Sequence, residues 1–257
     1  GTDFSVRYWA ASTLQGLGAS FEADNGALTP KSTEYYNKSV AQFKSIAEKG
    51  KSELTWVNED ETTGKAYLAQ IRMNMAQVMK KLGQYEDATK ELALILLDTP
   101  SNVSVQIEAA KTYNELGAQK GSDGGETQFL YAIGGARPID GENLIWGWRK
   151  LSSLTQGKEQ FTNEYYETRL GIAEARLGLG RLKEGDDGKK HIGYAELEIL
   201  NTYKIYPELG GTEFTARFES LLRTIQQELG KPEVSLAEAA DAPLATESTD
   251  IPGIEPA

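Results

Sequence analysis

AQVMKKLG (residues 76–83) and AKTYNELG (residues 110–117) are the two stretches that decide the fold. Each begins with an alanine and ends in a Leu-Gly pair, and the two glycines stand 34 residues apart. The same arrangement occurs at residues 11–18 and 173–180, and a fifth Leu-Gly pair, without the alanine, ends at Gly230. A fixed period of about 20–50 residues is typical of solenoids, which stack helix pairs side by side.

The small residues of this repeat have a physical role. An alanine on a helix face lets a neighbouring helix approach closely, because the distance between helix axes depends on the side chains at the contact. A glycine adopts the left-handed conformation that ends a helix at little cost. We therefore expect each Leu-Gly pair to end a helix and the chain to fold back antiparallel. The predicted fold is all-α, an α-solenoid of antiparallel helix pairs.

Apolar residues at helical spacing predict helices at residues 3–17, 32–49, 64–82, 84–97, 102–116, 126–133, 142–156, 161–179, 189–205 and 212–229. The predicted organisation is an N-terminal helix pair (1–50), a polar linker (51–63), a solenoid (64–230) with an insertion near 181–190, and an extended tail (231–257). The tail has four prolines and six acidic residues but no aromatic residue. Such a segment cannot order itself alone, so we expect it to rest on its own helices or on a neighbouring molecule.

The residues around these glycines resemble the tetratricopeptide repeat family. The resemblance is best over residues 66–117 and degenerate elsewhere. In the best repeat the matching positions are Ala76, Gly83, Tyr85, Ala88 and Pro100, and in the next they are Ala110, Tyr113, Leu116 and Gly117. Farther on, Ala195 and Pro207 keep the separation of Ala88 and Pro100.

The resemblance also implies a binding surface. In solenoids of this family the first helix of each pair lines a concave groove that takes an extended peptide. Carried over residue by residue, the groove positions are Met73, Gln77, Lys80, Ile107, Lys111 and Asn114. Their amide, lysine and aliphatic side chains suit an acidic peptide. The alternative is that they form an ordinary solvated helix face.

Composition excludes several function classes. The net charge of −11 repels phosphate backbones, so nucleic acid is not an expected partner. No apolar run approaches the roughly 20 residues that span a bilayer, so membrane insertion is not expected. The chain has no cysteine and one histidine, and it has no phosphate-binding loop, nucleophile elbow or zinc-protease motif. We therefore expect no enzyme activity, no cofactor and no metal.

Two further features concern partners and export. Trp146 and Trp148 are two residues apart and cannot share a helix face, so we expect one in the core and the other as a partner anchor. Their segment, residues 131–150, is interpreted mainly as the seam between two helix pairs. Two Asn-x-Ser sequons, at Asn37 and Asn102, matter only in an exported glycoprotein.

These observations favour a non-catalytic scaffold for protein–protein contacts. The first hypothesis is a structural subunit that self-assembles head to tail or through its tail, as an oligomer or filament, in an exported assembly. Its compartment would be periplasmic, cell-surface or extracellular, with the cytoplasm as the alternative. The last predicted helix either caps the solenoid or docks on the next protomer. The second hypothesis is a peptide-binding adaptor that recruits another protein through the groove.

Overall fold

A computed structural model describes residues 2–139, 141 and 143–242. Within these residues the chain forms α1 (Thr2–Ser20), α2 (Pro30–Ser52), α3 (Leu54–Val57), α4 (Glu61–Lys81), α5 (Tyr85–Asp98), α6 (Val103–Lys120), α7 (Gly125–Gly134), α8 (Gly147–Thr155), α9 (Thr162–Leu182), α10 (Gly185–Ile205), α11 (Thr212–Leu229) and α12 (Leu236–Asp241), with a 3-10 turn at Glu159–Phe161. The one strand-type pairing in this part of the chain is an antiparallel bridge between Ala136 and Ile145. The prediction of an all-helical chain is confirmed for the described residues.

Most helix bounds lie within a few residues of the prediction, but three regions differ. The predicted linker contains α3 and the first turn of α4. Helix α10 begins at Gly185 and not at residue 189, so the residues predicted as an insertion are mainly the first turns of this helix. Helix α8 begins at Gly147 and not at residue 142, because the preceding residues enter the bridge and Gly147 itself has a φ of 70°.

The helices pack mainly against their neighbours in the sequence. Helix α1 packs on α2, α2 on α4, α4 on α5, α5 on α6 and α6 on α7. Helix α9 then contacts α6, α7 and α8 on one side and α10 on the other, and α10 in turn contacts α11 and α12. Local side chains fix several of the starts: Asp60, Asn102 and Ser235 each accept a hydrogen bond from a backbone N–H in the first turn of the helix that follows.

The alanines of the repeat are all buried, whereas its glycines fall into two groups. The alanines of the four repeats, Ala11, Ala76, Ala110 and Ala173, are all completely buried. Among the Leu-Gly glycines, Gly83 and Gly230 have φ angles of 72° and 65° and end their helices as predicted. Gly18, Gly117 and Gly180 lie inside helices, which corrects the prediction for those positions. A glycine seven residues after an alanine shares its helix face, so in these helices both small residues serve close packing.

Helix α9 shows how close this packing is. A Cβ atom on Gly171 would lie 2.4 Å from the indole of Trp148, and one on Gly178 would lie 2.2 Å from the ring of Phe129. Such distances are far inside the van der Waals contact of about 3.5–4.0 Å. Helices α7 and α8 therefore reach α9 only because glycine stands at these positions.

The segment between α7 and α8 is held by one buried amide. The side chain of Gln106, on α6, donates hydrogen bonds to the carbonyls of Pro100 (2.9 Å) and Leu144 (2.8 Å). It also accepts one from the backbone N–H of Trp146 (2.9 Å). Since Gln106 is completely buried, all three bonds are made in a water-poor environment. The segment between α7 and α8, which was predicted as the seam, is thus linked by hydrogen bonds through Gln106 to the turn that precedes α6.

The C-terminal helices close one end of the described structure. The apolar side chains of α11 that the sequence offered as a docking face are turned inward, and Phe218, Leu222 and Ile225 are completely buried. Helix α12 packs on α10 and α11 and buries Leu236. This corrects the prediction of an extended tail for the part that forms α12; residues 243–257 of the predicted tail lie outside the described residues.

Candidate protein-binding surfaces

A concavity lies mainly between α1, α4 and α6. Its volume is about 780 Å³, and Glu22 after α1, Tyr36 of α2 and Tyr85 of α5 complete its walls. Helix α1 contributes Ser12, Gln15, Gly16 and Ala19, which carry no charge. The opposite wall is charged, because α4 and α6 contribute Lys80, Lys81, Glu108 and Glu115.

Two of the six residues assigned to a groove by the resemblance, Gln77 and Lys80, line this concavity. Met73 is half-buried against the core, and Ile107 is buried. Ile107 therefore presents no surface to a peptide, which corrects the prediction for this position. Its neighbour Glu108 lines the concavity instead, because α6 turns Ile107 toward the core.

The other two assigned residues lie between α6 and α9, outside the lining of the concavity. The Nζ atom of Lys111 is 2.8 Å from a carboxylate oxygen of Glu167. The amide of Asn114 donates a hydrogen bond to the carbonyl of Gly171 (3.3 Å), while its own buried oxygen has no hydrogen-bond partner. The structure therefore does not bring all six predicted residues together on one free surface.

The lysines of the concavity are paired with the protein's own carboxylates. Lys80 lies between Glu108, with which it forms a short hydrogen bond, and Glu115, which is 3.2 Å away. Burial raises the pKa of Glu115, and Lys80 opposes this effect. Lys81 contacts Glu22 at 3.2 Å. The sequence analysis missed all three carboxylates, because each lies in a different helix or turn from its lysine.

A second ion-pair network continues along α9. Arg217, from α11, contacts both oxygens of Glu167 at 2.6 and 3.0 Å, and Lys111 contacts the same carboxylate from α6. Burial raises the pKa of Glu167, but hydrogen bonds from Arg217 and Lys111 outweigh burial, so the pKa lies below its ordinary value. Lys80 and Lys111, which were expected to attract an acidic peptide, are thus already paired with carboxylates of the protein. Their charges therefore give no reason to expect an acidic peptide.

The two candidate tryptophan anchors have different surroundings. Trp148 is completely buried against Gly171, so it cannot contact a partner. Trp146 is half-buried, and the Nζ atom of Lys150 lies 4.2 Å from the centre of its ring. Trp146 is therefore the member of the pair that keeps access to the surface.

The most exposed aromatic side chain was missed by the sequence analysis. Trp9 of α1 is 68% exposed and Val6, one turn earlier, is 63% exposed. A signal was present in the sequence: residues 8–21 contain no charged side chain, although a quarter of the chain is charged. A helix that carries apolar residues on more than one side is normally covered on more than one side. Helix α1 therefore presents an uncovered apolar face.

The two sequons differ in accessibility. Asn37 is exposed on α2, but the hydroxyl of Ser39, the third residue of its sequon, is buried and donates to the carbonyl of Ala11 (2.9 Å). Asn102 and Ser104 are both exposed. The side-chain oxygen of Asn102 caps α6 through the N–H of Val105, which leaves its amide nitrogen for a glycan.

The described part of the chain contains no group of three His, Cys, Asp or Glu residues placed to hold a metal ion. His191 is half-buried, its Nδ1 atom has no hydrogen-bond partner, and burial lowers its pKa. None of the described helices has both the length and the apolar character required to cross a bilayer.

Comparison of the chain with protein-family models, with curated proteins and with solved structures finds no match. No family is therefore identified, and the tetratricopeptide resemblance rests on the residues of the repeat alone.

Proposed function

We propose that the chain is a tetratricopeptide-like solenoid of antiparallel helix pairs that acts as a non-catalytic scaffold for protein–protein contacts. Within that role, we propose that it associates with a second copy of itself through α1. The sequential packing of the helices and the buried alanines at repeat positions support the solenoid arrangement. The exposed face of α1 supports the self-association.

The observation that carries the proposal is the exposure of Trp9 and Val6 on α1, a helix in which residues 8–20 carry no charge. Each copy has a net charge of −11, so two copies repel each other, and a contact that lacks charged side chains adds least to this repulsion. Burial of a tryptophan and a valine on each side supplies an apolar contact centre of the kind that dominates interface energies.

The symmetry of the proposed contact follows from a comparison of α1 with α11. A head-to-tail filament needs a complementary apolar face at the other end, but α11 turns its apolar side chains inward and shows solvent polar residues such as Glu213 and Arg223. The face of α1 therefore matches a second α1 best. Such a contact is two-fold and closed, which produces a dimer and not a fibre.

Size-exclusion chromatography with light scattering tests this proposal. We expect the full chain to be a dimer at high micromolar concentration, and Val6→Glu and Trp9→Glu to be monomeric with unchanged helical circular dichroism. Ile205→Glu is the matched control, because Ile205 is as exposed as Val6, at 63%, but lies at the end of α10. A monomeric wild-type chain, or equal dissociation by Ile205→Glu, would contradict the proposal.

A second function, peptide binding by an adaptor, is supported by the concavity between α1, α4 and α6. Its volume of about 780 Å³ is within the range of known ligand sites. Because its lysines are neutralised internally, the peptide it fits is not strongly acidic; Gln77 and the uncharged wall of α1 offer amide and van der Waals contacts.

This second function is tested with a random peptide library displayed on phage. We expect the wild-type chain to enrich a sequence motif, and Gln77→Trp, which fills the concavity, to abolish the enrichment. Gln70→Trp is the control, since Gln70 is an exposed glutamine on the same helix outside the lining. Enrichment that survives Gln77→Trp, or the absence of any motif, would count against a peptide groove here.

Export is proposed on the accessible sequon alone. In a glycosylating secretory host we expect a single glycan at Asn102, removed by Asn102→Gln, and none at Asn37, because the Ser39 hydroxyl is buried. Modification at Asn37, detected by mass spectrometry of the folded protein, would show that glycosylation precedes the packing of α1 on α2.

A further inference from the structure

Seven residues of α1 form one stripe centred on Thr13. They stand three, four and seven positions before and after it, and residues with this spacing share one face of a helix. Val6, Trp9 and Leu17 are 63%, 68% and 37% exposed. The other four are exposed, apart from Ala10, which is half-buried. We call this set the α1 stripe; its members are Val6, Trp9, Ala10, Thr13, Gly16, Leu17 and Ser20.

The α1 stripe contains no charged residue. The two charged residues of the helix, Asp3 and Arg7, lie about 80° and 120° round the helix from Thr13. They hydrogen-bond each other at 3.0 Å. A second helix can therefore lie along the stripe without removing either charge from water, which would cost free energy.

The stripe also has a projection and a recess. Trp9 is its largest residue, and Gly16, two helical turns later, is its smallest. The fold of the chain does not itself require this glycine, because a Cβ atom on Gly16 would meet no atom within 4 Å. At Gly18, by contrast, a Cβ atom would lie 2.6 Å from the ring of Tyr36. Gly16 borders the concavity as well, so the recess is open to solvent on that side.

Two stripes related by a two-fold axis can run parallel or antiparallel. In a parallel pair each residue lies at the level of the same residue in the other copy, so two Trp9 side chains meet and hold the helices apart. In an antiparallel pair centred on Thr13, a residue four positions before Thr13 lies at the level of the residue four positions after it. Trp9 then lies level with Leu17 and beside Gly16. A large side chain thus faces a small residue, which is how close-packed helices interdigitate.

We propose that two copies of the chain pair antiparallel along the α1 stripe, with Thr13 at the two-fold axis. Each Trp9 enters the recess formed on the other copy by Thr13, Gly16, Leu17 and Ser20. This pairing rests on the self-association through α1 proposed above, and it names the residues that meet.

The area of the stripe fits a weak dimer. An exposed tryptophan contributes on the order of 150 Å² in each copy. The two stripes together bury on the order of 1,000 Å², which is the lower limit for a specific interface. We therefore expect a dissociation constant in the micromolar range and rapid exchange of subunits.

Disulfide cross-linking tests the pairing, because the chain has no cysteine of its own. Thr13→Cys, Val6→Cys and Ser20→Cys are each oxidised with copper–phenanthroline at a concentration at which light scattering shows a dimer. A disulfide requires Cβ atoms about 3.5–4.5 Å apart. We expect Thr13→Cys to link to itself, and Val6→Cys and Ser20→Cys to link only when the two are mixed. Ile205→Cys is the control for random collision, because Ile205 is as exposed as Val6, at 63%.

The outcomes separate this pairing from the self-association on which it rests. A chain that is monomeric by light scattering overturns both. A dimer in which Val6→Cys links to itself faster than Ile205→Cys does overturns the antiparallel pairing alone. The same holds for a dimer in which Thr13→Cys does not link, or in which the mixture of Val6→Cys and Ser20→Cys does not link.

Gly16→Leu tests the recess by a second route. Leucine fills the space that Trp9 of the other copy would enter, so we expect the dissociation constant of the dimer to rise about tenfold or more. Gly193→Leu is the matched control, because Gly193 also lies inside a helix and a Cβ atom there would meet no atom within 4 Å. Both variants should keep the circular dichroism of the wild type. An unchanged dissociation constant for Gly16→Leu, or an equal rise for Gly193→Leu, would contradict the insertion of Trp9.

Discussion

The turn between α4 and α5 contains the pair Leu82-Gly83, and the interior of α9 contains the pair Leu177-Gly178, but the two glycines act differently. Gly83 has a φ of 72° and ends α4, and its surroundings are open apart from the side chain of Gln119. Gly178 is helical, and it is covered by the ring of Phe129. Gly83 is required because its backbone has a positive φ, and Gly178 is required because the ring of Phe129 leaves no room for a Cβ atom. A Leu-Gly pair is therefore evidence for small-residue packing as much as for a helix end.

The largest effect is expected for Gly178→Ala. A Cβ atom there would lie 2.2 Å from Phe129, whose ring is also close to Gly117, so the ring has little room to move aside. We expect a loss of about 2–3 kcal/mol in the free energy of unfolding, measured by urea denaturation. The melting temperature should fall by roughly 5–10 °C.

Phe129→Leu provides the control for this variant. The smaller side chain should relieve the clash, so the double variant should lose less free energy than the sum of the two single variants. Strict additivity would mean that Gly178 and Phe129 are not coupled, and the distinction between the two glycines would fail.

Gly83→Ala tests the backbone requirement. Alanine in the left-handed region costs about 1–2 kcal/mol, and the loss should be the same whether or not Phe129 is shortened. Urea denaturation of Gly83→Ala in the wild-type and Phe129→Leu backgrounds measures this independence. Gly83→Asn should recover part of the loss, because asparagine tolerates the left-handed conformation better than alanine; equal stability of the Ala and Asn variants would contradict a backbone cause.

Gly117→Ala sharpens the comparison, since Gly117 was predicted as a helix end and lies inside α6. Its added Cβ would be 3.0 Å from Phe129, a milder overlap than at Gly178. We expect a loss of about 1 kcal/mol after the gain in helix propensity is included. Chemical denaturation monitored by circular dichroism would detect it, and a net stabilisation would show that the ring of Phe129 moves freely.

Gly193→Ala is the smallest effect and has the opposite sign. This glycine lies inside α10, and a Cβ there would meet no atom within 4 Å. We expect a gain of about 0.5–1 kcal/mol from the lower conformational entropy of the unfolded chain and the higher helix propensity of alanine. A rise in melting temperature by differential scanning calorimetry checks it, and a fall would point to an unrecognised contact.

Local patterns accounted for much of the helical layout. The bounds of α11 match the prediction because its apolar spacing, its preceding glycines and Gly230 all act within the helix or at its ends. Helix α3 is four residues long and was missed, because so short a segment carries no measurable periodicity. The start of α10 was missed because its first turn is polar and glycine-rich and is held by contacts with α9, such as that of Gly188 with Gly180.

The candidate surfaces were harder to predict, because each depends on residues that meet only in the folded chain. Periodicity placed Gln77 and Lys80 on an accessible side of α4, but it did not reveal that Glu108 reaches Lys80 from α6. Likewise, the sequence shows that residues 8–21 lack charge, but it does not show which side of α1 the rest of the protein covers.

Helix α9 contributes to both apolar clusters of the described structure. Ile172, Ala175 and Leu179 pack in the cluster built from the preceding helices, whereas Leu170, Ala173 and Leu177 pack in the cluster built with α10, α11 and α12. Neither cluster stays intact once this helix detaches, so the two halves of the chain are coupled in unfolding. Thermal melting should consequently be a single transition, and the backbone amides of α9 should be among the last to exchange with deuterated solvent.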